Sequence, residues 1–136
     1  MVLVDTNVLL DISTKDPVWF EWSSAQLEPI INAGEAAINP IIYAELAPAY
    51  SNAAELDARL VPLADFHRLT LPYAAAFPAA RAFVAYRKAG GTRTSPLPDF
   101  FIGAHAEVEN LVILTRDPVR YRTHFPEVRL ICPQIT

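Results

Sequence analysis

Four carboxylates stand out by where they sit. Asp5 closes the opening run VLVD and is followed at once by Thr6, Asn7 and a second apolar run. An acid held between two hydrophobic stretches is costly unless other groups meet it. Asp117 lies just beyond the run LVILT, and Asp99 heads the segment DFFIGAHAEVEN. Glu45 sits in PIIYAELAPAY, where nearly all its neighbours are apolar. Each acid also has an ordinary reading. Asp99 and Asp117 suit helix N-caps, the second with Pro118 directly behind it, and Glu45 suits a solvated helix face. Asp5 has the fewest solvent-facing excuses. If the four converge, like charges within ~4–6 Å raise each other's pKa, and a divalent cation relieves the repulsion. An all-oxygen set selects a hard ion, Mg²⁺ or Mn²⁺. Such an ion activates bound water and stabilises charge on a phosphoryl group. Zinc fits poorly, because His67, His105 and His124 are scattered and Cys132 has no partner at ligand spacing.

The elements that must position these acids are short and punctuated by 12 prolines. VLVD reads as a buried strand and residues 7–12 as a helix leaving its end. Asp16-Pro17 reads as N-cap and N1 of a helix running to Gly34. AAIN at 36–39 reads as a second strand, after which Pro40 opens a helix. Asn52 suits the cap of a helix AAELDARLVPLA, and FHRLTL reads as a third strand. YAAAFPAARAFVAYRKAG is helical up to Gly90-Gly91, with Pro78 marking a kink or break. After the loop GTRTSPLP come the Asp99 helix, the strand LVILT, a short helix opened by Asp117-Pro118, and the strand VRLICP. Strands that are continuous apolar runs and alternate with helices predict a parallel sheet covered by helices: an α/β/α sandwich of four to five strands. Parallel strands share a carboxyl edge, where sites form in open α/β sheets. Asp5 and Asp117 therefore belong on one side. Spacing alone does not say whether Glu45 and Asp99 reach it.

The 136 residues suit one domain spanning 1–136. An apolar fraction of 52 % against 19 % charged excludes a disordered chain. The net charge of −4 excludes nucleic-acid binding by bulk charge, so any such activity needs a metal or a local basic patch. A single cysteine, Cys132, makes no intrachain disulfide and reads as a packing residue, pointing to a reducing cytoplasm. No stretch approaches the ~20 apolar residues of a membrane span, and the first apolar run is a poor signal peptide. Basic candidates for phosphates are Arg87, Lys88 and Arg93 around one loop, and Arg116, Arg120 and Arg122 beyond the last acid. Trp19 and Trp22, three apart on one helix face, suit packing or an interface better than base stacking. Asp11, Asp16, Glu21, Glu28, Glu55, Asp57, Glu107 and Glu109 read as helix-surface or cap charges.

These residues resemble the PIN domain, and within it the VapC-type toxins of toxin–antitoxin pairs. The resemblance rests on VLVDTNVLLDI, IIYAEL, PDFFIGAHAEVENLVILTRDPVRY and VRLICP in that order, and covers the whole chain. It implies a metal-dependent endoribonuclease using Mg²⁺ or Mn²⁺, with Asp5, Glu45, Asp99 and Asp117 as its acidic cluster. Asp5 and Asp99 become the principal metal ligands, with Asp117 on or beside the metal. Glu45 helps hold metal or positions the attacking water, and Thr6, Asn7 and Thr115 orient carboxylates or water. Arg93, Arg116 and Arg120 become RNA-binding candidates. The resemblance further implies a homodimer and a VapB-type antitoxin packed on the apolar helices around 40–63, with higher-order assembly. Two departures appear: His105 stands where a small residue is common, and Pro118, Val119 and Arg120 stand where many relatives have a further acid. The second leaves one-metal and two-metal chemistry both open.

Three other readings compete. A haloacid-dehalogenase-like phosphatase needs Asp-x-Asp, but the third residue here is Asn7. A phospho-receiver domain needs a lysine near its last strand, and none follows Lys88. A degenerate PIN module would bind RNA or protein without cleavage, although all four acids are present.

Overall fold

The computed structural model describes residues 1–59, 65–94 and 97–134. Five parallel strands form one sheet in the order β3-β2-β1-β4-β5, flanked by helices. The strands are β1 (Val2–Val4), β2 (Ala36–Ile38), β3 (His67–Arg68), β4 (Val112–Leu114) and β5 (Leu130–Ile131). The helices are α1 (Thr6–Ser13), α2 (Phe20–Asn32), α3 (Pro40–Leu46), α4 (Ala53–Arg59), α5 (Ala76–Lys88), α6 (Pro98–Glu109) and α7 (Val119–His124). The apolar strands form because both faces are covered. Leu3, Val4, Ala36, Ala37, Ile38, Ile113 and Leu114 are all buried.

Strand order fixes where a site can form. The chain winds from β1 out to β2 and β3, then returns across β1 to lay down β4 and β5. Neighbouring β1 and β4 thus send their connections in opposite directions, which opens a crevice outside their carboxyl ends. Val4 pairs with Leu114, so Asp5 and Thr115 emerge side by side at that crevice. The Asp5 backbone N–H donates to the Leu114 carbonyl at 2.9 Å, and that of Thr115 to the Ile131 carbonyl at 3.0 Å.

Local chemistry explains several helix ends. Asn39 caps α3 through a 3.0 Å bond from the Ile42 N–H, and Pro40 takes N1. Asn52 Oδ1 accepts from the Glu55 N–H at 2.9 Å. Asn110 ends α6 in the left-handed conformation, φ 56°. Gly103 on α6 lets Phe125 lie directly against the helix, because a Cβ there would collide with the ring.

Several expectations shift. Asp16 closes a turn through the N–H groups of Val18 and Trp19, and the helix proper starts at Phe20. Pro78 lies in the first turn of α5, where no donor is needed; the break is the change at Ala75–Ala76 from a 3₁₀ turn to α-helix. Neither Asp99 nor Asp117 caps: Leu97 and Pro118 hold those positions. Cys132 is only half-buried, and its Sγ accepts from Arg122 Nη2 at 3.2 Å. Trp19 and Trp22 are half-buried and packed edge to face, centroids 5.9 Å apart. The end of the helix expected over 53–64, residues 60–64, and the middle of the loop at 95–96 lie outside the described residues. No helix among the described residues is long and apolar enough to cross a membrane.

Candidate functional site

Asp5 is the centre of a hydrogen-bond network that crosses the crevice. It is 3 % exposed. Its Oδ2 accepts from Thr115 Oγ1 at 2.9 Å, Tyr121 Oη at 2.9 Å and Asn7 Nδ2 at 3.3 Å. Its Oδ1 accepts from the Thr6 N–H at 2.8 Å, which starts α1. Asn7 Nδ2 also reaches Thr115 Oγ1 at 3.2 Å and Asp117 Oδ2 at 3.4 Å, joining the first acid to the last. Thr115 Oγ1 accepts from the Asp117 N–H at 3.1 Å, which fixes the turn after β4. Thr6 Oγ1 donates to Glu45 Oε1 at 2.7 Å, tying α3 to the same corner.

The electrostatics record a crowded set of acids. Burial, then the negative charge of Asp99, pushes the Asp5 carboxyl up from 3.8 to about 6, against the hydrogen bonds from Thr115, Tyr121 and Thr6. Burial also raises Glu45, with Asp99 adding and the Thr6 hydroxyl opposing. The Tyr121 hydroxyl is held well above its ordinary value by burial and then by Asp5 and Asp99, so it stays a neutral donor. Asp5 and Glu45 both feel Asp99, which places three acids from β1, α3 and α6 within electrostatic reach.

Beside them lies an open cleft of about 610 Å³, lined by Tyr86, Asp99, Arg116, Asp117, Pro118, Val119, Arg120, Thr123 and His124. Arg120 Nη1 bonds Asp99 Oδ2 at 3.0 Å. Asp117 is 70 % exposed at the rim. Arg116 is committed elsewhere. Its Nε bonds both oxygens of Asp11 at 3.0 and 2.9 Å, and Asp11, 2 % exposed, also accepts from Ser23 Oγ at 2.8 Å. The guanidinium stacks over Trp19, 5.6 Å from the ring centre, and Nη1 lies 3.6 Å from Asp117 Oδ2. This corrects the reading of Asp11 as a surface charge and makes Arg116, which also lines the cleft, a brace between α1 and the turn after β4. Arg93 is exposed, does not line the cleft, and gives its carbonyl to Arg87 Nη1 at 2.6 Å.

Sequence reasoning missed Tyr121, Asp11 and Asn39. Only Asp11 carried a signal, as an acid in an apolar helix. His105 is fully buried, and its Nδ1 lies 3.0 Å from Asn39 Nδ2. Asn39 Oδ1 is taken by the Ile42 N–H, so the imidazole accepts at Nδ1 and carries its proton on Nε2. It braces the cap of the helix that bears Glu45 and does not enter the crevice.

The donor set fits a magnesium-type ion. Every candidate ligand is an oxygen, and Asp5 and Asp99 repel each other. Among the described residues no three Asp, Glu, His or Cys side chains stand together as a ready cage. Mg²⁺ does not need one, since it is commonly held by one or two carboxylates and completes its shell with water and phosphate.

Fold and site together define an α/β domain with an acid-lined crevice at a strand reversal. The PIN domain model matches residues 2–126, and the chain belongs to the PIN-domain family. Comparison with curated proteins gave no match. Among solved structures, the chain is similar to VapBC2 from Rickettsia felis bound to a promoter DNA fragment, with TM-score 0.72, 19 % identity and 97 % and 98 % of the two chains covered. It is similar to FitAcB from Neisseria gonorrhoeae, with TM-score 0.70, 24 % identity and 96 % of each chain covered. It is also similar to VapBC-5 from Mycobacterium tuberculosis, a member of the VapBC family of toxin–antitoxin systems, with TM-score 0.59, 21 % identity and 98 % and 97 % covered.

Proposed function

We propose that this chain is a Mg²⁺-dependent endoribonuclease, the VapC-type toxin of a toxin–antitoxin pair, working in the cytoplasm. The observation that carries the reading is the network from buried Asp5 through Asn7 and Thr115 to Asp117, at the crevice where Asp5 and Glu45 also feel Asp99. Asp5 and Asp99 are the residues to hold the ion, with Asp117 beside them. Bound there, Mg²⁺ supplies Lewis-acid stabilisation of phosphoryl charge and a lowered pKa for its water. The remaining work falls to the side chains. Tyr121, Thr115 and the Thr6 N–H fix the Asp5 carboxylate in one orientation. Glu45, its carboxyl raised by burial and anchored by the Thr6 hydroxyl, is suited to take a proton from the attacking water. Arg120 at the cleft rim meets the negative backbone of the strand.

The toxin assignment rests on the family and on similarity to the VapBC and FitAcB complexes. On the same grounds one partner is a VapB-type antitoxin; a second copy of this chain is the other partner proposed. The test is incubation of purified chain with structured RNA in Mg²⁺ or EDTA, alongside Asp5→Asn. Cleavage that needs both the metal and Asp5 is expected. RNA binding without cleavage by metal-loaded protein would instead establish the non-catalytic module. The phosphatase reading loses ground, because Asn7 serves as a bridging donor where that chemistry needs an acid.

A further inference from the structure

Two arginines four positions apart meet the acids on opposite terms. Arg116 is locked, with Nε on both oxygens of a buried carboxylate and its plane on Trp19. Arg120 holds Asp99 by one nitrogen on one oxygen, Nη1 to Oδ2 at 3.0 Å, and both partners are partly open to solvent, 41 % and 31 % exposed. A single-point, partly hydrated ion pair is weak. The Arg120 guanidinium also lies 6.0 Å from the centre of the Tyr86 ring, which is backed by Phe100 at 5.7 Å. That aromatic face offers the cation a resting place that does not depend on Asp99.

We propose that the Arg120 guanidinium and a divalent cation compete for the Asp99 carboxylate, so that Arg120 sets how tightly the cation is held. The inference rests on the metal-dependent reading above and goes beyond it. A cation entering beside Asp5 and Asp99 meets a positive charge already resting on one of its two ligands. Binding must displace that charge, and the displaced head group remains tethered by α7 at the cleft, over Tyr86. Arg120 therefore holds metal affinity below what the carboxylates alone would give. Any ligand that draws the guanidinium away, an RNA phosphate included, strengthens cation binding through the same exchange.

The experiment is a Mn²⁺ titration of the full chain without RNA, followed by the loss of free-Mn²⁺ paramagnetic resonance signal. Wild type, Arg120→Gln and Arg120→Lys are compared, each checked for an unchanged far-ultraviolet spectrum. Removing one like charge and one competing hydrogen bond is expected to tighten Mn²⁺ binding in Arg120→Gln by roughly fivefold or more. Arg120→Lys keeps the charge and stays within about twofold of wild type. Equal affinity in wild type and Arg120→Gln, or weaker binding in the variant, overturns the competition and leaves the metal-dependent reading intact. Weaker binding would mean that Arg120 orients Asp99 for the ion. No Mn²⁺ binding by any of the three overturns both.

Discussion

Replacing Asp5 with asparagine should abolish cleavage and, without metal, stabilise the fold. Asp5 is 3 % exposed, and its carboxyl is raised from 3.8 to about 6, by burial first and Asp99 second. A folded-state pKa above the unfolded one means that the folded chain holds the proton more tightly. Stability linked to Asp5 is fully present below about pH 4 and is lost as the pH rises through about 6. The gap corresponds to roughly 3 kcal/mol against the folded state at neutral pH. Asparagine removes that penalty. It also puts an amide where Oδ2 accepts from Tyr121, Thr115 and Asn7. The Tyr121 hydroxyl can turn and accept; Thr115, which already accepts from Asn7 and the Asp117 N–H, must point its proton elsewhere, and the Asn7 amide cannot accept at all, together at a cost of ~1–2 kcal/mol. A net gain of ~1–2 kcal/mol remains, or ~3–8 °C in Tm for a chain of this length. The assay is a thermal melt of both proteins in EDTA at about pH 7.5 and about pH 4.5. The variant should melt higher at the first pH and lose its advantage at the second, where wild-type Asp5 is protonated. Saturating Mg²⁺ should close the gap at about pH 7.5, since it binds the wild type alone. A variant that melts below wild type in EDTA at the higher pH, or a gap that is the same at both pH values, refutes this account of Asp5.

Thr6→Ala removes the 2.7 Å bond to Glu45 and should lower kcat for RNA cleavage ~10–100-fold, with secondary structure unchanged by circular dichroism. Asp11→Ala strips Arg116 and Ser23 of a buried partner; a loss of ~2–4 kcal/mol in denaturant unfolding is expected, toward the low side because Arg116 is partly exposed. Gly103→Val drives a side chain into the Phe125 ring and should cost ~1–3 kcal/mol in the same measurement.

The sheet was legible in the sequence because strand signals are local. Runs such as VLVD, AAIN and LVILT are apolar up to a polar last residue, and only burial on both faces explains them. The placement of Asp5 and Asp117 on one edge followed from parallel strands. That Glu45 joins them depends on β2 pairing beside β1, and that Asp99 does depends on which way the chain turns after β3; no local pattern encodes either. The pairing of Asp11 with Arg116 is likewise invisible locally, because it spans 105 positions. Tyr121 looked like any aromatic of a short helix until α7 placed its hydroxyl on Asp5. Helix starts were misjudged where a good capping residue is engaged elsewhere. Asp16 shapes a turn, and Asp99 and Asp117 face the cleft.

The reversal at β1 has a bearing on how the protein is made. Asp5 leaves the ribosome early, whereas Thr115, its partner across the crevice, follows 110 positions later. Until β4 is synthesised, one side of β1 has no neighbour, and a bare strand edge invites pairing with other chains. A single late event, the insertion of β4, therefore covers that edge and brings the last acid to the first. A ribosome that halts before residue 112 releases a chain that is prone to aggregate, with the first acid still without the last.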